Sequence, residues 1–241
     1  MSKTAQYAFA VLAVGASMLT SCSTNLDDSY DPYENWQARN EAWFKHITDS
    51  AKTCIADAQA KYPNDWEDHC SWRIYRSLLK STSSGTGSAT DSIVVHINCN
   101  HWIGTYYPAS NVYKSPTYSD TVCISYRGYL MPTKNYGSDG NLELRQERFT
   151  STYYGADDDI SADTSAPGKS SVTSFAVDGF ASALMRMTPG DDWTVYIPNN
   201  LAYGKQTTGL IQPYSTLQFR IFLYDWHEIG TAVPVWKARE R

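Results

Sequence analysis

The segment from Phe175 to Phe219 constrains the fold most, because its hydrophobic pattern changes from a helical period to alternation. Apolar residues recur every three or four positions from Phe180 to Met187, which predicts a short helix with one apolar face. Alternating residues then predict two strands, over 193–198 and 216–223, joined by a polar loop. Because a helix with one apolar stripe packs on the apolar face of a sheet, we predict an α+β domain.

Five short motifs follow one another in order from position 120 onward. They read DTVCISYRG at 120–128, FTST at 149–152, VDGFASALMRM at 177–187, IPNNLAYG at 197–204 and GLIQPYSTLQF at 209–219. Together these motifs resemble those of the FKBP-type peptidyl-prolyl cis-trans isomerases. The resemblance implies an FKBP-like antiparallel β-sheet wrapped around one short α-helix, here with an α-helical N-terminal extension.

The resemblance also implies a pocket that grips the proline ring of a polypeptide substrate. Phe180 would be its floor, the Tyr203 hydroxyl and the Val177 N–H would donate to substrate carbonyls, and Ile211 would close its rim. The alternative interpretation is that these side chains are the ordinary core of a β domain. The catalytic set implied by the motifs is Tyr126, Phe149, Val177, Phe180, Tyr203, Ile211 and Phe219, and the residues expected to contact substrate are Thr150, Leu210 and Tyr214.

Two positions depart from the family pattern. The family usually has Asp directly after the phenylalanine of the second motif, where this chain has Thr150, so a carboxylate is missing from the pocket edge. The floor residue is more often Trp than Phe, so Phe180 leaves a roomier pocket without an indole N–H. These departures keep open a second interpretation, in which the domain binds proline peptides or acts as a holdase chaperone with little or no turnover.

The first 22 residues have the pattern of a bacterial lipoprotein signal peptide. Lys3 supplies the positive charge, residues 8–16 form a short apolar region, and 19–22 reads LTSC, which resembles a lipobox ending in Cys22. The apolar run is shorter than the roughly 20 residues that span a bilayer. We predict lipidation of Cys22 and anchoring in the cell envelope, on the periplasmic or the surface side of the outer membrane; a plain secretory signal or an uncleaved anchor is the alternative.

The rest of the chain divides by composition. Residues 23–32 are a polar tether, 33–80 carry apolar residues at helical spacing, and 81–90 are a linker rich in Ser, Thr and Gly. The helical prediction has two parts, up to Tyr62-Pro63 and again from Trp66 to Lys80. We expect this extension to pack on the FKBP-like domain at 91–229, with dimerisation through it as the alternative, and a C-terminal tail at 230–241.

Cysteine and histidine positions leave two questions open. Beyond Cys22 the chain has Cys54, Cys70, Cys99 and Cys123, for which three disulfide connectivities or free thiols are all compatible with export. His96, Cys99 and His101 are close in sequence, but a continuous strand would point His96 away from the other two. We therefore predict no metal site.

The chain has no Gly-x-Ser-x-Gly motif and no phosphate-binding glycine loop, and its net charge of −5 argues against nucleic acid as a partner. The predicted function is isomerisation of X-Pro bonds (rotamase activity) that assists folding of exported or envelope proteins, without a cofactor. The partners implied are proline-containing polypeptides, a membrane through the N-terminal lipid, and macrolides of the FK506 and rapamycin type.

Overall fold

The computed structural model describes residues 31–80, 91–99, 114–136, 142–153 and 166–235. The signal peptide with Cys22, the linker at 81–90 and His101 lie outside these ranges, as does the side chain of Cys99. None of the described helices combines the length and hydrophobicity that crossing a bilayer requires.

An antiparallel sheet forms the centre of the unit that begins at Pro32. Its strands are β1 (Trp72–Arg76), β2 (Ser92–Cys99), β3 (Thr121–Tyr129), β6 (Arg148–Ser151), β7 (Gly168–Ser171), β8 (Asp192–Ile197) and β9 (Leu217–His227). The order across the sheet is β1-β2-β8-β9-β3-β6. Strand β6 pairs with the C-terminal part of β3, and β7 pairs with the N-terminal part of β3. Strands β4 (Thr133–Tyr136) and β5 (Leu142–Arg145) form a separate hairpin.

The helix α3 (Asp178–Leu184) packs on one face of the sheet. Its closest approach is at Gly179, where an added Cβ would lie 2.4 Å from Ile197 Cγ2 and 3.1 Å from Ile93 Cγ2. The alternating residues of β9 that were predicted to share an apolar face are all buried in the same core as α3: Leu217, Phe219, Ile221 and Leu223. The predicted fold class, an antiparallel sheet with one short helix and an N-terminal helix, is confirmed.

The long helix α1 (Trp36–Lys61) covers part of the opposite face. Ile47 and Ala51 pack there against Val94, with Trp72, Ile74 and Tyr196 beside them. Residues 93–95 of β2 are therefore buried on both faces, which explains why Ile93, Val94 and Val95 are all apolar. A short helix, α2 (Trp66–His69), follows α1.

The prediction of a second helix from Trp66 to Lys80 was wrong over its middle part. The helix ends at His69, and Trp72–Arg76 is an edge strand paired with β2 in the register Trp72–His96 to Arg76–Ser92. The N-terminal extension is thus not helical throughout and contributes a strand to the same sheet. Trp72 and Ile74, two positions apart, both face α1. Residues two positions apart share one face in a strand, so this spacing fits the observed strand.

Candidate functional site

An uncharged cavity of about 300 Å³ lies beside α3. Side chains from β3, β6, β9 and α3 line it together with the loop between β8 and β9. No residue of this lining carries a formal charge, and six of its members are aromatic. The lining consists of Tyr126, Phe149, Thr150, Phe175, Val177, Phe180, Tyr203, Thr208, Gly209, Leu210, Ile211 and Phe219.

Phe180 is the centre of the aromatic cluster at this cavity and is only 2% exposed. Its ring centroid lies 4.9 Å from that of Phe219 and 5.1 Å from that of Tyr126, both in edge-to-face geometry. The ring of Phe175 is tilted against it at 4.8 Å. Because Phe180 contacts all three neighbouring rings, its orientation is determined by packing.

The walls come from adjacent strands. Tyr126 on β3 pairs with Ile221 of β9, and two residues further along the pair is Gly128 with Phe219. Phe149 of β6 stands nearly perpendicular to Phe219, with centroids 5.5 Å apart and an interplanar angle of 87°. The neighbouring strands therefore bring Tyr126, Phe149 and Phe219 to one side of the cavity.

The loop between β8 and β9 forms the rim. Thr208 and Ile211 exchange two backbone hydrogen bonds of 3.0 and 2.9 Å, which close a turn containing Gly209 at φ +57°. This left-handed conformation suits glycine because it lacks a Cβ. Leu210, at the tip of that turn, is 49% exposed although it is apolar, whereas Ile211 is buried. An exposed leucine at the mouth of an apolar cavity is placed to contact a ligand.

The structure brings together nine of the ten predicted pocket residues. All seven residues of the implied catalytic set line the cavity, as do Thr150 and Leu210. Tyr214 does not belong to this lining; it adopts φ +64° and donates its backbone N–H to the Gly204 carbonyl at 2.7 Å. The donor roles of the Tyr203 hydroxyl and the Val177 N–H stay predictions.

Sequence reasoning missed Phe175 as a site residue. A 3-10 turn at Val172–Ser174 precedes it, and its ring contacts Tyr126 as well as Phe180. The signal available was an aromatic residue two positions before Val177, but its position relative to α3 depends on that turn. Thr208 and Gly209 were also missed, because a polar residue and a glycine in a loop do not by themselves indicate a pocket.

The described residues contain no group of three His, Cys, Asp or Glu side chains placed to hold a metal ion. The ring nitrogens of His96 lie 3.1 Å from Ser71 Oγ and 3.2 Å from Asn98 Oδ1. Cys54, Cys70 and Cys123 are free cysteines, and Cys54 is exposed.

The family model for FKBP-type peptidyl-prolyl cis-trans isomerases matches residues 113–224. These residues are therefore similar to the FKBP family. The matched range contains every residue of the cavity lining, from Tyr126 to Phe219. Strands β1 and β2, which belong to the same sheet, precede the matched range.

The peptidyl-prolyl cis-trans isomerase Mip of Coxiella burnetii is 32% identical to this chain over 111 residues. That match covers 46% of this chain and 38% of the relative, so the chain spans less than half the length of this curated protein.

Two solved structures are also similar to this chain. A peptidyl-prolyl isomerase from Pseudomonas syringae pv. tomato is 20% identical, with 76% of this chain and 96% of that chain covered and a TM-score of 0.38. FkpA from Escherichia coli is 20% identical, with 83% of this chain and 75% of that chain covered and the same TM-score of 0.38.

Proposed function

We propose that this chain is a peptidyl-prolyl cis-trans isomerase that acts on proline-containing segments of exported or envelope proteins while they fold. The observation that carries the proposal is the convergence of Tyr126, Phe149, Phe180 and Phe219, from four separate elements, around one uncharged cavity. The similarity of residues 113–224 to the FKBP family supports the same reaction.

The chemistry needs neither a nucleophile nor a metal. The barrier to rotation about a peptide bond is about 18–20 kcal/mol and comes from amide resonance, so uncatalysed X-Pro bonds interconvert in tens to hundreds of seconds. A dry apolar cavity favours the twisted amide over the planar one, because the twisted amide is less dipolar. A thousandfold acceleration requires only about 4 kcal/mol of such preference.

In this proposal each part of the cavity has a role. Phe180 forms the floor on which the proline ring rests, and the three wall aromatics hold the ring while the preceding carbonyl rotates. The Tyr203 hydroxyl and the Val177 N–H donate hydrogen bonds to substrate carbonyls, and Ile211 closes the rim. Tyr203 suits this role because it lines the cavity and is only partly buried, so its hydroxyl can reach a bound peptide.

The test is a protease-coupled isomerisation assay on a short proline-containing peptide. Tyr203→Phe removes only the hydroxyl, and we expect kcat/KM to fall about tenfold because a hydrogen bond to substrate is lost. Tyr196→Phe is the matched control, since Tyr196 packs beside α1 on the opposite face of the sheet. A wild-type rate no higher than the uncatalysed rate would refute the proposal.

A second candidate function is a proline-peptide binding module or holdase that turns over slowly. Thr150 favours it, because Thr150 lines the cavity at the position where the family usually has Asp. The two functions separate when peptide affinity is measured by fluorescence alongside the rate. Binding without acceleration identifies the binder, and competition by FK506 or rapamycin tests the proposed macrolide ligands in either case.

We further propose that acylation of Cys22 anchors the protein in the bacterial cell envelope, on the outer membrane. The support is the order of a basic residue, a short apolar run and the lipobox-like 19–22. Metabolic labelling with a fatty acid should mark the wild-type protein and fail to mark Cys22→Ser. Equal labelling of the two proteins would exclude this anchor.

A further inference from the structure

We infer that Trp36 and Asn40, on the first turns of α1, are positioning residues for the pocket rim. They precede the matched FKBP range and do not line the cavity. Both are nevertheless buried, with Asn40 fully so, and both hydrogen-bond the segment that leads from the rim into β9. The inference deepens the proposed function, since it concerns how the same pocket keeps its shape, and it rests on that function.

The first contact runs from Trp36 to the rim through one serine. The indole Nε1–H of Trp36 donates to Ser215 Oγ at 3.0 Å, in a buried environment. The Ser215 hydroxyl in turn donates to the Gln212 carbonyl at 2.6 Å. Gln212 directly follows Ile211, which lines the cavity and pairs with Thr208. A chain of two hydrogen bonds, the first of them buried, therefore connects α1 to the C-terminal end of the rim turn.

The second contact comes from Asn40. Its side-chain oxygen accepts the backbone N–H of Thr216 at 2.8 Å, and its side-chain amide donates to the Trp36 carbonyl at 2.9 Å. Asparagine is a costly residue to bury completely unless its polar groups are used, and here both are. The backbone of Thr216 is thus held at the point where the loop becomes β9.

The geometry of the loop explains why these two anchors act on the cavity. Five of the twelve lining residues belong to 203–211: Tyr203, Thr208, Gly209, Leu210 and Ile211. The loop closes on itself through the hydrogen bond from the Tyr214 N–H to the Gly204 carbonyl. Residues 205–210 are exposed, so few packing contacts restrain them. Anchoring of Ser215 and Thr216 by α1 therefore restrains the rim from its C-terminal end.

The test is a double-mutant cycle with Trp36→Phe and Ser215→Ala. Trp36→Phe keeps an aromatic ring and removes the indole N–H, and Ser215→Ala removes the hydroxyl that it reaches. We expect each variant to weaken proline-peptide binding about three- to tenfold, the range for one lost hydrogen bond. Because the two groups belong to the same chain of hydrogen bonds, the double variant should bind the peptide no more weakly than whichever single variant has the lower affinity.

The matched control is Ile47→Ala on the same helix. Ile47 packs against the opposite face of the sheet with Ala51 and Val94, so its loss weakens α1 docking without touching Ser215 or Thr216. We expect Ile47→Ala to lower global stability while peptide affinity stays within about twofold. An equal fall in affinity for Ile47→Ala and Trp36→Phe would overturn the inference, because the effect would then be general loss of stability.

Hydrogen exchange of the rim gives a readout that does not require substrate. The amides of Thr208, Ile211 and Tyr214 should exchange faster in Trp36→Phe and Ser215→Ala than in the wild type, and should be unchanged in Ile47→Ala. Unchanged exchange in Trp36→Phe, or affinity losses that multiply in the double variant, would overturn the inference. If the wild type neither binds nor isomerises peptides, the proposed function fails, while the exchange rates still decide whether α1 restrains the rim.

Discussion

Gly128 on β3 lies against the ring of Phe149, and a Cβ added to Gly128 would be 2.6 Å from Phe149 Cζ. The same Cβ would lie 2.7 Å from Thr150 Cγ2. Both neighbours line the cavity. Absence of a side chain at position 128 is therefore what allows β6 to place Phe149 and Thr150 where they are.

Gly128→Ala should consequently lower the activity of the pocket strongly while the protein still folds. The displaced Phe149 ring and Thr150 methyl group must move, and overpacking of this kind costs about 1–3 kcal/mol. We expect kcat/KM for a proline peptide to fall about 10- to 100-fold, because catalysis is sensitive to small displacements of the groups that position substrate. Gly168→Ala on β7 is the control: its Cβ would meet only the Ile124 carbonyl, at 3.5 Å. Equal activity of the two variants would contradict the prediction.

Phe180→Leu should show whether Phe180 contributes to activity as the floor of the pocket, beyond its contribution to the stability of the core. Loss of the ring removes its contacts with Tyr126 and Phe219, and we expect stability to fall by about 1–3 kcal/mol and kcat/KM by about tenfold. Phe222→Leu is the counterpart, because Phe222 packs against Tyr224 in a different cluster, with ring centroids 4.4 Å apart. Urea denaturation should give similar losses for both variants, with activity retained only in Phe222→Leu.

Thr150→Asp tests the departure from the family pattern. A carboxylate at the cavity edge accepts hydrogen bonds about twice as strong as those of a neutral group, so we expect kcat/KM to rise several-fold. Thr150→Asn has nearly the same shape as Thr150→Asp without the charge and should not raise it. If both variants behave like the wild type, the missing carboxylate does not limit turnover.

Cys123 should be an inert thiol in the folded protein. Burial, with a smaller contribution from the charge of Asp225, raises the pKa of the Cys123 thiol to about 11. Iodoacetamide at pH 8 should therefore label the exposed Cys54 and spare Cys123 until the protein is unfolded, as peptide mapping by mass spectrometry would show. Labelling of Cys123 at the rate of Cys54 would contradict the burial of this strand.

The raised pKa of Cys123 also predicts the sign of a pH effect on stability. Below the unfolded-state pKa near 9, the thiol is protonated in both the folded and the unfolded state, so it does not change the free energy of unfolding. As the pH rises toward 11 the unfolded chain ionises first, so stability is lost, by about 1 kcal/mol between pH 8.5 and 10. Urea denaturation should show this loss in the wild type in excess of that in Cys123→Ala, since tyrosines titrate equally in both.

Strand alternation and motif order predicted nine of the twelve residues that line the pocket. The period of two from Leu217 to Leu223 predicts one apolar face of a strand, and the structure buries that face. The motifs similarly placed Tyr126, Phe180 and Tyr203 in one site, because the order of such motifs along the chain reflects a common arrangement in space.

Other features were decided by contacts between distant parts of the chain. The apolar spacing of 66–80 is compatible with a helix, and pairing with β2 together with cover from α1 made Trp72–Arg76 a strand instead. Likewise, the bond from Trp36 to Ser215 joins residues 179 positions apart.

The sequence by itself determined which segments alternate, which residues are apolar and in what order the motifs occur. Only the tertiary structure decided that Phe175 joins the pocket, that Tyr214 lies outside it, and that α1 hydrogen-bonds Ser215 and Thr216 beside the rim. The physical reason is that periodicity is a local property of the chain, whereas the partner of a buried polar group or an edge strand depends on what the whole fold brings beside it.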